Sequence, residues 1–403
     1  MERDDVVIVS AVRTPFGKFG GPMREIPIQE LGAIPMREVM RRINLSPEVV
    51  EEVYVGTAIS LECYPPSVIG RQVMLKAGFP EHLFAVTIDS ACTSSLVAAR
   101  MCYRAIKLGE VETAIAVGVE SQSRTGLLIP YNVRWGTKFG HVTATDFYDG
   151  LIYPGFKSAS GDTGDVALEY GEGREEQDQW ACISQARYDK AFKEGKFKVG
   201  EELMAITIPQ KKGAPIVIEK DEQPRPETNM EALSKLTPVF GSLTVTAGNA
   251  PGMNDGASSV LLMSRTKAEK LGLEIMGKVV ACGGYASPPR YMAAAPGHNM
   301  AWLLKKAGLT ADDMDLIEIN EAFAAMAVIG TRILAEGDEK KLASLRERTN
   351  VDGGAVAIGH PVGASGCRLL MHLLYELKRR GGGKGICSLC GGLALSEAMI
   401  VEV

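Results

Sequence analysis

The sequence predicts an α/β protein built from two similar halves, and three observations carry that expectation. Short β-rich runs alternate with helical stretches of roughly 10 to 15 residues, the pattern of layered folds with a largely parallel sheet. A weak internal repeat relates "MREVMRRINLSPEVVEEVYVGT" (36–57) to "MAWLLKKAGLTADDMDLIEINE" (300–321). Both read as amphipathic helix, Leu-Ser/Thr, acid cluster and strand, with Leu45 matching Leu309 and Glu48 matching Asp312 at one constant offset. Each half then runs on through a small-residue corner, a helix and a strand: "LVAARMCYRAIKLG…TAIAVGVES" and "CRLLMHLLYELKRRG…GICSLCGG". The span from Gly56 to Cys92 is 36 residues, and that from Asn320 to His360 is 40.

Taken in order, strands are expected at "VVIVSAV", "EVYVGTAI", "FAVTID" and "ETAIAVGVES" in the first half. "DLIEINEA", "GICSLC" and "AMIVEV" supply those of the second. Between the halves, roughly 122 to 243, the chain turns polar and charged, with turn clusters such as "DEQPRPET". Its long helix is expected near Arg174 to Glu194, after a glycine, with acids early and lysines late to suit the helix dipole. The expected division is 1–121 with 244–272 as the N-terminal half, 122–243 as an inserted capping domain, and 273–403 as the C-terminal half. An insertion of that size caps a site or makes subunit contacts.

Composition narrows the function. A formal charge of −5 argues against nonspecific nucleic-acid binding, which needs a basic face. It still permits one local basic pocket for a phosphorylated ligand. No apolar run reaches the roughly 18 residues of a membrane span. The start "MERDDVVIVS" lacks the basic end of a signal peptide, and "AMIVEV" carries no lipidation or peroxisomal signal. Eight scattered cysteines are then expected to be reduced thiols in the cytoplasm.

Four corners could do chemistry. "TIDSACTSSLVAAR" puts Cys92 between a strand and a helix, either as a small buried hydrophobe or as a reactive thiol. His360 sits in "GGAVAIGHPVGASG", where glycines let groups approach closely and an exposed imidazole could act as a base. His82, His141, His298 and His372 sit among ordinary surface or helical residues. In "SLCGGLALSEA", Cys390 ends a strand, and Gly391 and Gly392 leave a backbone N–H for a ligand oxygen. Cys387 lies three residues earlier on a strand and so on the other face, which disfavours a metal or redox Cys-x-x-Cys. In "IEINEAFAAMA", Asn320 is either a helix cap or a functional amide. "TAGNAPGMNDGAS" (246–258) reads as a turn-rich loop able to line a narrow channel. "GGGKG" is no phosphate loop, because Lys384 is followed by Gly. Two thiols, an imidazole and an amide on strand-end loops suit carbon–carbon bond chemistry on thioesters. A thiolate at a helix N-terminus is stabilised there, an imidazole takes its proton, and backbone N–H groups hold the oxyanion.

Together "RTPFGKFGG", the Cys92 corner, "TAGNAPGMNDGA", "NEAFA", "GGAVAIGHPVGASG" and the late "CGG" resemble a thiolase, an acyl-CoA acetyltransferase, over nearly the whole chain. The resemblance implies five layers, α-β-α-β-α, with two five-stranded mixed sheets around buried helices. It implies Cys92 as acyl acceptor, His360 as its activator, Cys390 as the second acid–base, and a water on Asn320 completing an oxyanion site with His360. The N–H groups of Cys92 and Gly392 would form the other oxyanion site. Arg225 would contact the nucleotide end of CoA, and Phe240, Ala247 and Phe323 would line the pantetheine tunnel. It further implies a homodimer or homotetramer, with CoA and acyl-CoA as substrates and no metal or resident cofactor. The favoured substrate is short, acetoacetyl-CoA. The sequence departs from the family at Ala159 and Ser160, at Pro251, Ala232 and Ser95, which leaves chain length and CoA geometry open. The Cys92 corner also resembles that of β-ketoacyl synthases, but "NEAFA" and Cys390 suit deprotonation without loss of CO₂. A silent acyl-CoA-binding or scaffold subunit is the third reading. Two thiols converging on one carbon could also be joined by oxidation.

Overall fold

Every residue of β1 (Val6–Arg13) is buried, yet its side chains enter two different cores. Val7 and Val9 join one cluster, Val6 and Ile8 another, as the two-residue period of a strand requires. This parity organises the molecule. The computed structural model describes residues 4–58, 67–137, 139–146 and 155–403.

The first half continues through β2 (Gly17–Lys18), α1 (Ile28–Arg42), β3 (Glu52–Gly56), α2 (Ile69–Lys76), β4 (Phe84–Ile88), α3 (Ser94–Leu108) and β5 (Thr113–Ser121). The intervening stretch holds α4 (Ala159–Glu169), α5 (Arg174–Lys193), the hairpin β6 (Ile206–Ile208) and β7 (Ile216–Ile218), and α6 (Met230–Ser234). Then come β8 (Asn254–Ser264), α7 (Arg265–Lys270), β9 (Gly277–Ala286), α8 (Ala295–Ala307) and β10 (Leu316–Ile319). The chain ends with α9 (Ala324–Ala335), α10 (Glu339–Glu347), α11 (Ala355–Ile358), α12 (Ser365–Arg379), β11 (Lys384–Cys390) and β12 (Leu395–Glu402).

Strand order makes the internal repeat explicit. The first half runs β1-β8-β5-β3-β4, two antiparallel pairings followed by two parallel ones. The second runs β9-β12-β11-β10 in the same succession of directions. Its fifth member shrinks to a parallel bridge between Ile317 and Thr349. There the Asn350 side chain finishes the ladder, accepting from Ile319 N at 2.8 Å and donating to Ile319 O at 2.8 Å. The two sheets meet edge to edge where Val7 and Ile8 pair with Lys278 and Gly277.

Among the described residues, three large buried clusters hold the five layers together. Val53, Ile115 and Leu261 pack outward against Met36, Val39 and Val73 of α1 and α2. Ile317, Ile386 and Ile400 pack against Met300, Leu303 and Ile329 of α8 and α9. Between the sheets, Leu96 and Cys102 of α3 meet Leu370 and Leu374 of α12, flanked by Val260 and Leu389. Each such buried side chain contributes about 1.5–3 kcal/mol. Gly366 makes the central contact possible: a Cβ there would lie 2.5 Å from Leu96 N.

Two central strands, β8 and β9, carried no sequence expectation. β8 begins with Asn254, Asp255 and Gly256, a composition that reads as turn, and the expected loop over 246–258 therefore ends at Met253. Its polar start is buried because it serves other segments: Asn254 Oδ1 accepts from His360 N at 2.9 Å, and Asp255 Oδ1 from Ser123 N at 2.9 Å. The strand expected over 52–59 stops at Gly56, and Ile59 lies outside the described residues. α5 matches its expected span, but its buried face (Gln177, Trp180, Ser184, Tyr188) packs inward.

His372 is also no ordinary helical residue. It is 1% exposed, with Nδ1 2.7 Å from Glu202 and Nε2 3.5 Å from Asp352. Glu202 also pairs with Arg13, which grips Asp221 at 2.7 and 2.9 Å. This buried network ties β1, the insertion and α12 together. Burial alone would lower the His372 pKa, but the Glu202 charge and hydrogen bonds to Asp352 and Glu202 raise it to about 10.

Candidate active site

The turn between β4 and α3 holds Cys92. Ala91 takes a left-handed conformation, φ +49°, which costs a non-glycine residue about 1–2 kcal/mol. Local bonds hold it: Thr93 Oγ1 donates to Ser90 O at 2.6 Å, and Ser94 Oγ to Ala91 O at 2.6 Å. Cys92 is half-buried, two residues before the first residue of α3. Burial, then the Cys390 thiol and the Glu120 carboxylate, push its own thiol well above the usual range. This shift opposes the helix-dipole stabilisation expected of a thiolate at this turn.

His360 lies where α11 hands over to α12. It is 7% exposed, contrary to the exposed position expected, because Gly359 (φ +108°) turns the chain against Asn254. Its Nε2 lies 3.4 Å from Asn320 Nδ2, and its Nδ1 lies 2.6 Å from Ser365 Oγ. Burial, aided by the Arg368 charge, lowers its pKa to about 3. The imidazole is neutral at physiological pH.

Asn320 is fully buried at the end of β10 and caps nothing, since α9 starts at Ala324 with Phe323 before it. Its Oδ1 accepts from Arg368 Nη2 at 3.4 Å. The adjoining Glu321 accepts from Trp180, Ser184, Asn350 and the Val356 N–H at 2.8 to 3.0 Å, fastening α5 and α11 to this strand end.

Cys390 ends β11 fully buried, and burial pushes its thiol up to about 12. It joins the core on the α9 side, whereas Cys387 joins the inter-sheet core, so the two thiols take opposite faces. A Cβ on Gly391 would lie 2.9 Å from Ser90 O and 3.2 Å from Thr93 Cγ2, which sets this strand end directly against the Cys92 turn. Gly391 N–H donates to Leu395 O at 2.6 Å. Leu393 and Ala394 follow with φ of +55° and +60°, a second strained turn beside the first.

Other expected residues lie farther along. Phe323 is half-buried and Ala247 exposed, joined through Ala324 N–H donating to Asn249 O at 2.9 Å. Phe240, 60% exposed, accepts at its carbonyl from Ser158 Oγ at 2.5 Å. Arg225 is exposed, and its N–H donates to Gln185 Oε1 at 2.8 Å. Ser95 accepts from Cys367 N at 3.1 Å and so pins α12 to α3.

Sequence reasoning missed Glu120, Asn254, Ser365 and Arg368. Glu120 accepts from Thr57 Oγ1 (3.1 Å), Ala58 N (2.9 Å) and Gly363 N (2.6 Å), clamping the two halves' corners together. A signal existed for Ser365 and Arg368, which lie five and eight residues after His360 on the adjoining helix.

Residues 6–266 match the family described as thiolase, N-terminal domain, and residues 273–403 match thiolase, C-terminal domain. An acetyl-CoA acetyltransferase of Syntrophomonas wolfei subsp. wolfei is 40% identical over 407 residues, covering 99% of each chain. A beta-ketoadipyl-CoA thiolase of Acinetobacter baylyi is 40% identical over 408 residues, covering 98% of each. The crystal structure of human mitochondrial 3-ketoacyl-CoA thiolase in complex with CoA superposes with a TM-score of 0.89 at 33% identity, covering 99% of this chain and 98% of that one.

Proposed function

This chain belongs to the thiolase family and is an acyltransferase; from that premise we propose that it cleaves 3-ketoacyl-CoA with CoA, and runs the reverse condensation, through an acyl-Cys92 intermediate. The observation that carries this reading is convergence. The Gly391 strand end abuts the Cys92 turn, α12 abuts α3, and the Asn320–His360 pair sits at the start of α12.

In the cleavage direction, His360 takes the Cys92 proton and the thiolate adds to the 3-keto carbon. The Cys92 and Gly392 N–H groups and the Asn320–His360 pair hold the developing oxyanions. Breaking the C2–C3 bond leaves an acetyl-CoA enolate, which takes a proton from Cys390. CoA then enters, gives its proton to the Cys390 thiolate, and displaces the acyl group, while His360 returns its proton to Cys92, restoring both thiols. Their raised proton affinities suit this order, since neither ionises before substrate arrives.

Arg225, Phe240, Ala247 and Phe323 would receive CoA, which with acyl-CoA is substrate here and not a resident cofactor. Acetoacetyl-CoA is the proposed ketoacyl substrate. Equal identity to an acetyl-CoA acetyltransferase and to a beta-ketoadipyl-CoA thiolase makes the side-chain series the informative comparison. A homodimer or homotetramer is favoured by the exposed apolar stretch with Tyr131 (81%), Trp135 (78%) and Phe139 (97%).

Mixing the protein with acetoacetyl-CoA and CoA tests the reading. Enolate absorbance should fall with enzyme concentration. No loss with this or any longer 3-ketoacyl-CoA rules the reaction out.

A further inference from the structure

Arg368 is a fully buried guanidinium on α12, with Nη1 3.3 Å from Glu318 Oε2 and Nη2 3.4 Å from Asn320 Oδ1. Burying such a charge costs several kcal/mol, and an apolar side chain of similar volume would pack this helix as well. Its retention beside Asn320 calls for another reason. We propose that Arg368 is a positioning residue: it fixes which end of the Asn320 amide faces His360, and thereby makes Nε2 the basic nitrogen of that imidazole.

The argument follows hydrogen-bond direction. A guanidinium only donates, so it selects the amide oxygen of Asn320 and turns Nδ2–H toward His360. A donor 3.4 Å from Nε2 requires a lone pair there, which places the imidazole proton on Nδ1. Ser365 Oγ, 2.6 Å from Nδ1, accepts that proton's bond and passes its own hydrogen to Pro361 O at 2.9 Å. Every link then has one donor and one acceptor, from Arg368 to a backbone carbonyl. Turning the Asn320 amide over would set donor against donor at Arg368 and oxygen against Nε2. It would favour the tautomer whose Nε2 carries the proton and cannot take one from Cys92. The Arg368 charge also disfavours a second proton on the imidazole.

This inference rests on the proposed reaction only in giving Nε2 the task of activating Cys92. Nitrogen NMR of ¹⁵N-histidine-labelled protein, with His360→Gln to identify the signals, should show His360 protonated on Nδ1. The charge-neutral variant Glu318→Gln/Arg368→Met should give mixed tautomers, and Cys92 alkylation by iodoacetamide should slow about 10- to 100-fold. kcat for acetoacetyl-CoA thiolysis should fall by the same factor, with KM changed less than about twofold. Asn320→Asp offers oxygen to both neighbours, and should move the proton to Nε2 even if the double variant folds poorly. A native His360 protonated on Nε2, an unmoved tautomer in N320D, or unchanged alkylation in the folded double variant overturns the proposal. Failure to cleave any 3-ketoacyl-CoA would sink the reaction instead, and leave the tautomer decided by the spectrum.

Discussion

Substituting Gly366 by alanine tests whether the contact between α3 and α12 sets the distance between the two reacting corners. The added Cβ would lie 2.5 Å from Leu96 N, 2.8 Å from Leu96 Cβ and 3.0 Å from Ser95 Oγ. Ordinary contact begins near 3.4 Å, so backbone must yield by about 0.9 Å. The obstructing atom is helix backbone and cannot rotate aside as a side-chain tip would. Leu96 lies four residues from Cys92 and Gly366 six from His360, so parting the helices parts Cys92 from His360. Overpacking of this kind costs about 1–3 kcal/mol of stability. A misplacement near 1 Å costs about 10²-fold in rate. Thiolysis kcat and the thermal midpoint of Gly366→Ala should therefore both fall, measured beside Gly126→Ala, whose Cβ would meet nothing within 4 Å. A Gly366→Ala enzyme with kcat within about threefold of the parent would show that the helix spacing does not govern the site.

Cys92→Ser should form no acyl-enzyme with acetyl-CoA by intact mass, whereas Cys390→Ala should acylate yet lose at least about 10²-fold in turnover; normal turnover by Cys390→Ala would remove that thiol from the mechanism. Because the His360 pKa is lowered to about 3, its base form persists through the acid range. The pH profile of Cys92 alkylation should show no inflection between about pH 5 and 7 belonging to an ordinary imidazole. Such a step, lost in His360→Gln, would contradict the buried neutral base. His372 is raised to about 10, so its stabilising pairing is complete below the ordinary value near 6.5 and is lost as pH rises through 10. His372→Gln should cost about 3 kcal/mol near neutrality, read as a lowered thermal midpoint, and the deficit should shrink above pH 10. An equal deficit at pH 7 and pH 10.5 would deny His372 its charge.

Much of the fold was legible because several strands are buried over all or most of their length and read as apolar runs: β1, β5, β11 and β12 announce themselves. β8 did not, since its first residues are polar groups recruited to hold His360 and Ser123 from other parts of the chain. The same holds at the site. Cys92, His360, Asn320 and Cys390 stood out as chemical residue types on small-residue corners. Glu120 and Asn254 stood out for nothing, because a buried charge or amide has meaning only through partners that sequence distance hides. Glycine-rich context suggested room around the thiols, yet the strained residues there are Ala91, Leu393 and Ala394.

The sequence by itself determined the repeated α/β plan and singled out the candidate reacting groups, because periodicity and residue type are local properties of a chain. Only the tertiary structure decided their protonation and alignment. Desolvation, a neighbouring charge and the direction of a hydrogen bond depend on atoms that meet in space: Arg368 beside Asn320, Gly366 against Leu96, Gly391 against Ser90.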